Sequence, residues 1–330
     1  GVTAPIASVS HWRREPEFVA ALTPSGIDLV DDRLYWNPST WGPPETRSQI
    51  WSLDGGLAGG ASRKRSEGHP YVVGQWCPQT MGAWAFPHEA ADQLLASAVA
   101  LHDDWDALVR RGVFIHPKVW GDGPVGTAGG EDIFQVPEVA NGTPQVYALW
   151  PHAASILRRG RGEAEGGRNA SRKRTPPTGW DPSRGRLVVD TPFTQGFAGW
   201  GPDGGARFPN LNLEVESPFA IVVASSAGVE PIAEARRLLV TTLARVEPTG
   251  YRWVDPWKRE TADPGRPPLL QEPVRARIEW RRSGSVKAFA LDETGARVAP
   301  ARVEPLSGGE GVALVVDGRT PTIHWELVAE

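Results

Sequence analysis

The chain has 330 residues, of which 40% are hydrophobic and 22% charged, and a formal net charge of −4. That length accommodates two domains, and the composition is that of a chain that folds rather than one that stays disordered. The charge balance excludes a global basic field for nucleic acid or an anionic membrane. No run approaches the ~18–20 apolar residues that span a bilayer.

Two compositional biases bear on function. The chain carries 15 Trp against 4 Tyr and 9 Phe. Trp presents a large apolar face with one N–H donor, which suits stacking on sugar rings as well as core packing. It also carries 37 Gly and 31 Pro, a sign of many turns and long loops. The single cysteine, Cys77, excludes an intrachain disulfide and a multi-Cys zinc site.

Along the chain, Val2 to Val9 reads as a buried strand ending at His11-Trp12. Pro16 to Leu22 reads as a short helix. A second strand, Ile27 to Val30, runs into Asp31-Asp32-Arg33-Leu34-Tyr35-Trp36, and a long Gly/Pro/Ser-rich loop follows to Gly68. Pro70 to Trp76 is a compact third strand. Phe86 to Arg110 has helical spacing, with Ala91, Leu94, Leu95, Ala98 and Leu101 on one side. Leu108 to His116 leads into a fourth strand, and Pro144 to Arg159 reads as a helix apart from Pro151. Strand, aromatic loop and helix thus repeat over residues 1–159, the rhythm of parallel strands with crossover helices.

Residues 160–186 read as a linker or long loop, rich in Gly, Arg and Pro. Residues 187–330 read as strand after strand: Arg186–Asp190, Phe219–Ala224, Leu238–Ala244, Val274–Trp280, Val286–Leu291, Val312–Val316 and Thr322–Val328. Turn signals such as Asp203-Gly204 and Asp317-Gly318 separate them, which predicts a β-sandwich.

Several stretches together resemble the retaining clan of (β/α)8-barrel glycoside hydrolases, the broad group that includes families 5, 39 and 42. IDLVDDRLYWNP (Ile27 to Pro38) resembles the strand-six segment, HPYVVGQW (His69 to Trp76) strand seven, and Ala91 to His116 the next helix and strand eight. RLVVDTPFTQGFAGW, RRLLVTTLARVEPTG and TIHWELV look like the β-rich domain that follows the barrel in some of these proteins. The resemblance implies an α/β plus all-β chain: the second half of a TIM-type barrel, strands five to eight, followed by a β-sandwich-like domain. It favours a fragment of a longer protein. No signal peptide is visible, and an extracellular or periplasmic location is expected. The implied partner is an oligosaccharide or polysaccharide, with no metal or organic cofactor, no nucleic acid and no membrane.

The same resemblance implies a catalytic Glu at the end of strand seven, where this chain has Gln75. Retention needs two carboxyl groups roughly 5–5.5 Å apart, one attacking the anomeric carbon and the other protonating the leaving oxygen. An amide is a poor nucleophile, and the strand-four acid/base Glu is not in this sequence. Gln75 is therefore the relic of a nucleophile in a non-catalytic glycan binder, a deliberate substitution of the Glu that traps substrate, or a plain strand-end amide. A cleft at the strand ends would be lined by His11, Trp12, Tyr35, Trp36, Trp76, Trp84, His116 and Trp120. For each of these, packing on neighbours is the competing account. Trp105 reads as core, and Asp103, Asp104 and Asp106 read as a solvated acidic helix end rather than metal ligands.

Overall fold

In the computed structural model the described residues are Ala7, 28–36, Ser48, Ile50, 69–78, 90–110, 144–160, 179–201, 204–254, 261–263 and 266–330. Three strands, β1 (Val30–Trp36), β2 (Tyr71–Pro78) and β3 (Ala107–Arg110), form a sheet in sequential order. Both pairings are parallel, and a further parallel bridge joins Ala7 to Leu29. Parallel neighbours require crossovers, and helix α1 (Ala90–His102) supplies the one between β2 and β3.

Helix α1 ends sooner than its sequence spacing suggests. Asp104 takes the left-handed conformation at φ 58°, the Trp105 amide reaches back to the Ala100 carbonyl at 2.8 Å, and that of Asp104 to Leu101. This paired capping stops the helix, and the chain re-enters the sheet at Ala107. The expected run of helix to Arg110 is thus corrected: Ala107–Arg110 is strand. The acidic triplet lies at the end of this helix, as expected, with Asp106 exposed. Asp104 is the cap, and the carboxylate of Asp106 accepts the Tyr71 amide at 2.8 Å. Trp105 is core, packed edge-on against Tyr71 with centroids 5.9 Å apart.

The helix expected over Pro144 to Arg159 divides into α2 (Pro144–Tyr147) and α3 (Trp150–Arg159). Pro151 explains the division. Its ring is tolerated in the first turn of α3, where an amide would have no intrahelical acceptor, but not inside a continuous helix.

Along the rest of the chain the strands are β4 (Trp180–Asp181), β5 (Arg186–Asp190), β6 (Thr194–Trp200), β7 (Gly204–Arg207), β8 (Leu211–Val215), β9 (Phe219–Ser226) and β10 (Arg237–Leu243). Two small hairpin pairings follow, β11 (Val246–Thr249) with β14 (Arg266–Gln271) and β12 (Arg252–Trp253) with β13 (Thr261–Asp263). The last six are β15 (Ala276–Trp280), β16 (Val286–Leu291), β17 (Arg297–Pro300), β18 (Val303–Pro305), β19 (Val312–Val316) and β20 (His324–Ala329). They build an eight-stranded sheet, β17-β16-β20-β10-β9-β6-β5-β4, and a five-stranded sheet, β18-β19-β15-β8-β7, with antiparallel pairing throughout.

The two sheets share one apolar core, so the expected β-rich part of the chain is present. Phe197, Val222, Val240 and Trp325 of the larger sheet meet Leu213, Ile278, Trp280 and Leu314 of the smaller. The other face of the larger sheet is also covered. Leu187, Ile221, Val223 and Leu243 share a core with Leu94, Leu95 and Val99 of α1 and Ile156 of α3. The same core takes in Val30, Tyr71, Val73 and Trp76 of the parallel sheet. Being covered on both sides, β9 is buried along all eight residues.

Within the expected linker, 160–186, the final part is structured. Trp180 and Asp181 form an edge strand on β5, and the Trp180 indole donates to the Ile50 carbonyl at 2.7 Å. Among the described residues, no helix is long and apolar enough to cross a membrane.

Candidate functional site

The end of the parallel sheet carries a local irregularity. On the β1 side, Asp32 pairs with Val73, and the next residue, Arg33, pairs with Gln75, so Gly74 is extra. The β3 side shows a shift over the same residues, between Val73 and Trp76. The residue type follows from the geometry: a Cβ on Gly74 would stand 2.2 Å from the Asp31 carboxylate, which accepts the Gly74 amide at 3.0 Å. Bulges of this kind re-aim a strand's last residues and concentrate beside active sites.

The adjoining polar groups are held firmly. Tyr71 donates its hydroxyl to the buried carboxylate of Asp32 at 2.8 Å, and Ser48 donates to the buried Asp92 of α1 at 2.5 Å.

The residues expected in the cleft divide as follows. Tyr35 and Trp36 are the last two residues of β1, in register with Cys77 and Pro78, and Gln75 follows the bulge on β2. For these three the backbone alone is described. Trp76 is 1% exposed and sits in the core, so it offers no face to solvent for stacking. His11, Trp12, Trp84, His116 and Trp120 lie outside the described residues. Sheet order and register therefore bring Tyr35, Trp36 and Gln75 to one end of one sheet. Among the described residues no group of three or more His, Cys, Asp or Glu is arranged to hold a metal ion.

Sequence reasoning missed a buried polar chain where α3 meets the eight-stranded sheet. His152 of α3 is fully buried, with Nδ1 2.7 Å from the Ser225 hydroxyl and Nε2 2.8 Å from that of Thr241. Thr241 also lies 2.9 Å from Nδ1 of His324, and Ser225 lies 2.7 Å from Thr194, which donates to Ser155 of α3. Proton counting orders the whole chain. Each hydroxyl has one proton, so if Thr194 donates to Ser155, Ser225 must donate to Thr194 and accept from His152 Nδ1–H. Nε2 of His152 then accepts from Thr241, which accepts from His324 Nδ1–H. Nε2 of His324 is left as an acceptor.

Burial, with the nearby His324 a smaller contribution, lowers His152 to about 3, so its imidazole is neutral at neutral pH. Burial also lowers His324. The sequence held one signal: Leu149, His152, Ala153 and Ile156 recur at helical spacing, which puts a His on an otherwise apolar face.

His324 also lines a cavity of about 800 Å³, walled by residues before and within α3, the Gln271–Val274 segment, the Leu291–Glu293 turn and the Gly318–Ile323 loop. No protein-family model matches the chain, and no curated protein matches it.

Proposed function

We propose that the chain is a glycoside hydrolase-like protein that engages an oligosaccharide or polysaccharide at the C-terminal end of its parallel sheet. The observation that carries this reading is the bulge at Gly74-Gln75, seen from both neighbouring strands, beside the strand end that bears Tyr35-Trp36. Open parallel sheets and β/α barrels keep their ligands at the carboxyl ends of their strands, and aromatic residues there offer faces to sugar rings. The sequential parallel order, extended by the Ala7–Leu29 bridge, supports strands five to eight of a (β/α)8 barrel, with the sandwich as the domain that follows.

Gln75 favours a second reading, a carbohydrate-binding protein on a degenerate barrel. An amide cannot attack the anomeric carbon as a carboxylate does.

One experiment separates the two. Gln75→Glu is incubated with a 2-deoxy-2-fluoro glycoside bearing a dinitrophenolate leaving group. That group departs without protonation, so no acid catalyst is needed. On the hydrolase reading, the new carboxylate forms a bond to the anomeric carbon, dinitrophenolate is released, and the protein gains the mass of the fluorosugar at residue 75. No adduct, together with retention on polysaccharide that Trp36→Ala abolishes, selects the binding reading. No adduct together with no retention on any polysaccharide sinks both.

A further inference from the structure

We propose that the cavity between α3 and the β-rich part of the chain is a second binding site, built for a neutral saccharide unit. It shares no lining residue with the end of the parallel sheet, and it rests on the carbohydrate reading only for the choice of glycan probes. Its size, about 800 Å³, falls within the ~300–1,000 Å³ of small-molecule sites.

The wall chemistry sets the ligand class. Carboxylates are present, but most of their charge is already answered. Glu272 accepts from Arg245 at 2.9 Å, and Oδ1 of Asp292 takes the Thr294 amide, the Thr294 hydroxyl and the Ala296 amide. Arg319 is already shared with Asp317, 3.8 Å away, and Glu293 adds an acceptor on the same cavity. A free anion would meet the carboxylates, and a free cation would meet Arg319. A neutral polyol satisfies both, since each hydroxyl donates and accepts. Pro151, Leu291 and Ile323 supply apolar wall for the C–H face of a sugar ring. His324 is among the lining residues, and the bonds behind it through Thr241 to His152 set its tautomer with Nε2 as the acceptor.

The test reads the site directly. The chain has seven histidines, so the imidazole nitrogens of His324 are assignable by long-range ¹H–¹⁵N correlation, with His324→Gln identifying the signal by its loss. Neutral cello-, xylo- and manno-oligosaccharides are titrated, alongside oligogalacturonate and chitosan oligomers as charged comparators. The expected result is a saturable shift of His324 Nε2 with a neutral oligosaccharide. Binding should weaken about tenfold in Arg319→Ala and again in Glu293→Ala, the loss of one hydrogen bond to a charged group in each case. No shift with any neutral sugar overturns the proposal, as does a shift with charged oligomers alone, or one unaltered in both variants.

The two sites fail separately. Polysaccharide retention that Trp36→Ala abolishes, with His324 silent, sinks the cavity and leaves the sheet-end reading standing. A His324 shift with retention indifferent to Trp36→Ala does the reverse.

Discussion

The two faces of the eight-stranded sheet solve the same burial problem with different chemistry. The face toward the smaller sheet is almost wholly apolar, with Phe197, Val222, Val240 and Leu327 filling the space between sheets. The face toward the helices mixes Ile221, Val223 and Leu243 with Thr194, Ser225, Thr241 and His324, which converge on His152 and Ser155 of α3. Alternation along β9 makes the contrast explicit: Phe219, Ile221, Val223 and Ser225 look one way, and Ala220, Val222 and Ala224 the other. An apolar face is tolerant of register with respect to partner chemistry, whereas a chain of hydroxyls and imidazoles is satisfied in one arrangement only. The polar face therefore fixes where α3 sits, and the dry face supplies most of the cohesion.

Acid should break the polar face first, and this is the largest effect expected. In the folded protein His152 stays neutral down to about pH 3, whereas in the unfolded chain it takes a proton below its ordinary value of 6.5. The unfolded state thus binds more protons between those limits. Stability is fully present above about pH 6.5 and falls as pH drops, by about 1.4 kcal/mol per pH unit and ~5 kcal/mol in all by pH 3. His324, lowered in the same sense, adds to the slope. Urea midpoints measured from pH 7 to pH 4 should show this decline. His152→Gln, which removes the titrating group, should flatten it even if its stability at pH 7 is lower. An equal slope in wild type and His152→Gln would assign the decline to other groups.

The dry face is tested by Trp280→Ala. Trp280 is fully buried at the end of β15. Its truncation should cost ~3–5 kcal/mol, with no change in pH slope. Equilibrium denaturation at two pH values reads both quantities. If the variant altered the slope, the two faces would not be energetically separate.

These contrasts also explain what the sequence disclosed. β5, β16 and β19 coincide with the strands read from the sequence, because their apolar residues alternate cleanly or run continuously between turn residues. β6 escaped notice: Thr194-Gln195-Gly196-Phe197-Ala198-Gly199-Trp200 holds two glycines and two polar residues, which reads as turn, yet it is an interior strand of the larger sheet, between β9 and β5. The buried chain of hydroxyls was illegible for a different reason. Its members come from α3, β6, β9, β10 and β20, and Ser or Thr in a strand announces nothing until long-range pairing brings five elements together. At the parallel sheet, strand order was legible from the β/α rhythm. The bulge was not, because Gly74 in a strand states only that something needs the space of a side chain.

Gly74→Ala sharpens that last point at intermediate magnitude. Its new methyl group would meet the Asp31 carboxylate at 2.2 Å, where the Gly74 amide is already bonded. Asp31 must swing away or the bulge must shift, at a cost of ~1–3 kcal/mol. Thermal unfolding gives that cost. Polysaccharide retention gives the functional part, which should fall more than in a surface variant of equal instability, because residue 75 follows the bulge directly.

The smallest single effect is expected at the margin of the polar face, where Glu326 is 4% exposed and accepts from Arg237 and Arg297 on either side. Both arginine side chains are about half exposed or more, at 60% and 48%. Losing either one leaves the other in place, so Arg237→Ala should cost less than ~1 kcal/mol. Losing both strands a carboxylate in the interior, where an unpaired charge is far more costly than a paired one. The double variant should therefore lose more than the sum of the singles, and a double-mutant cycle on urea unfolding gives the sign of that coupling. Additive losses would mean that solvent reaches Glu326 well enough to replace both arginines, and the polar face would then be wet at this edge rather than sealed.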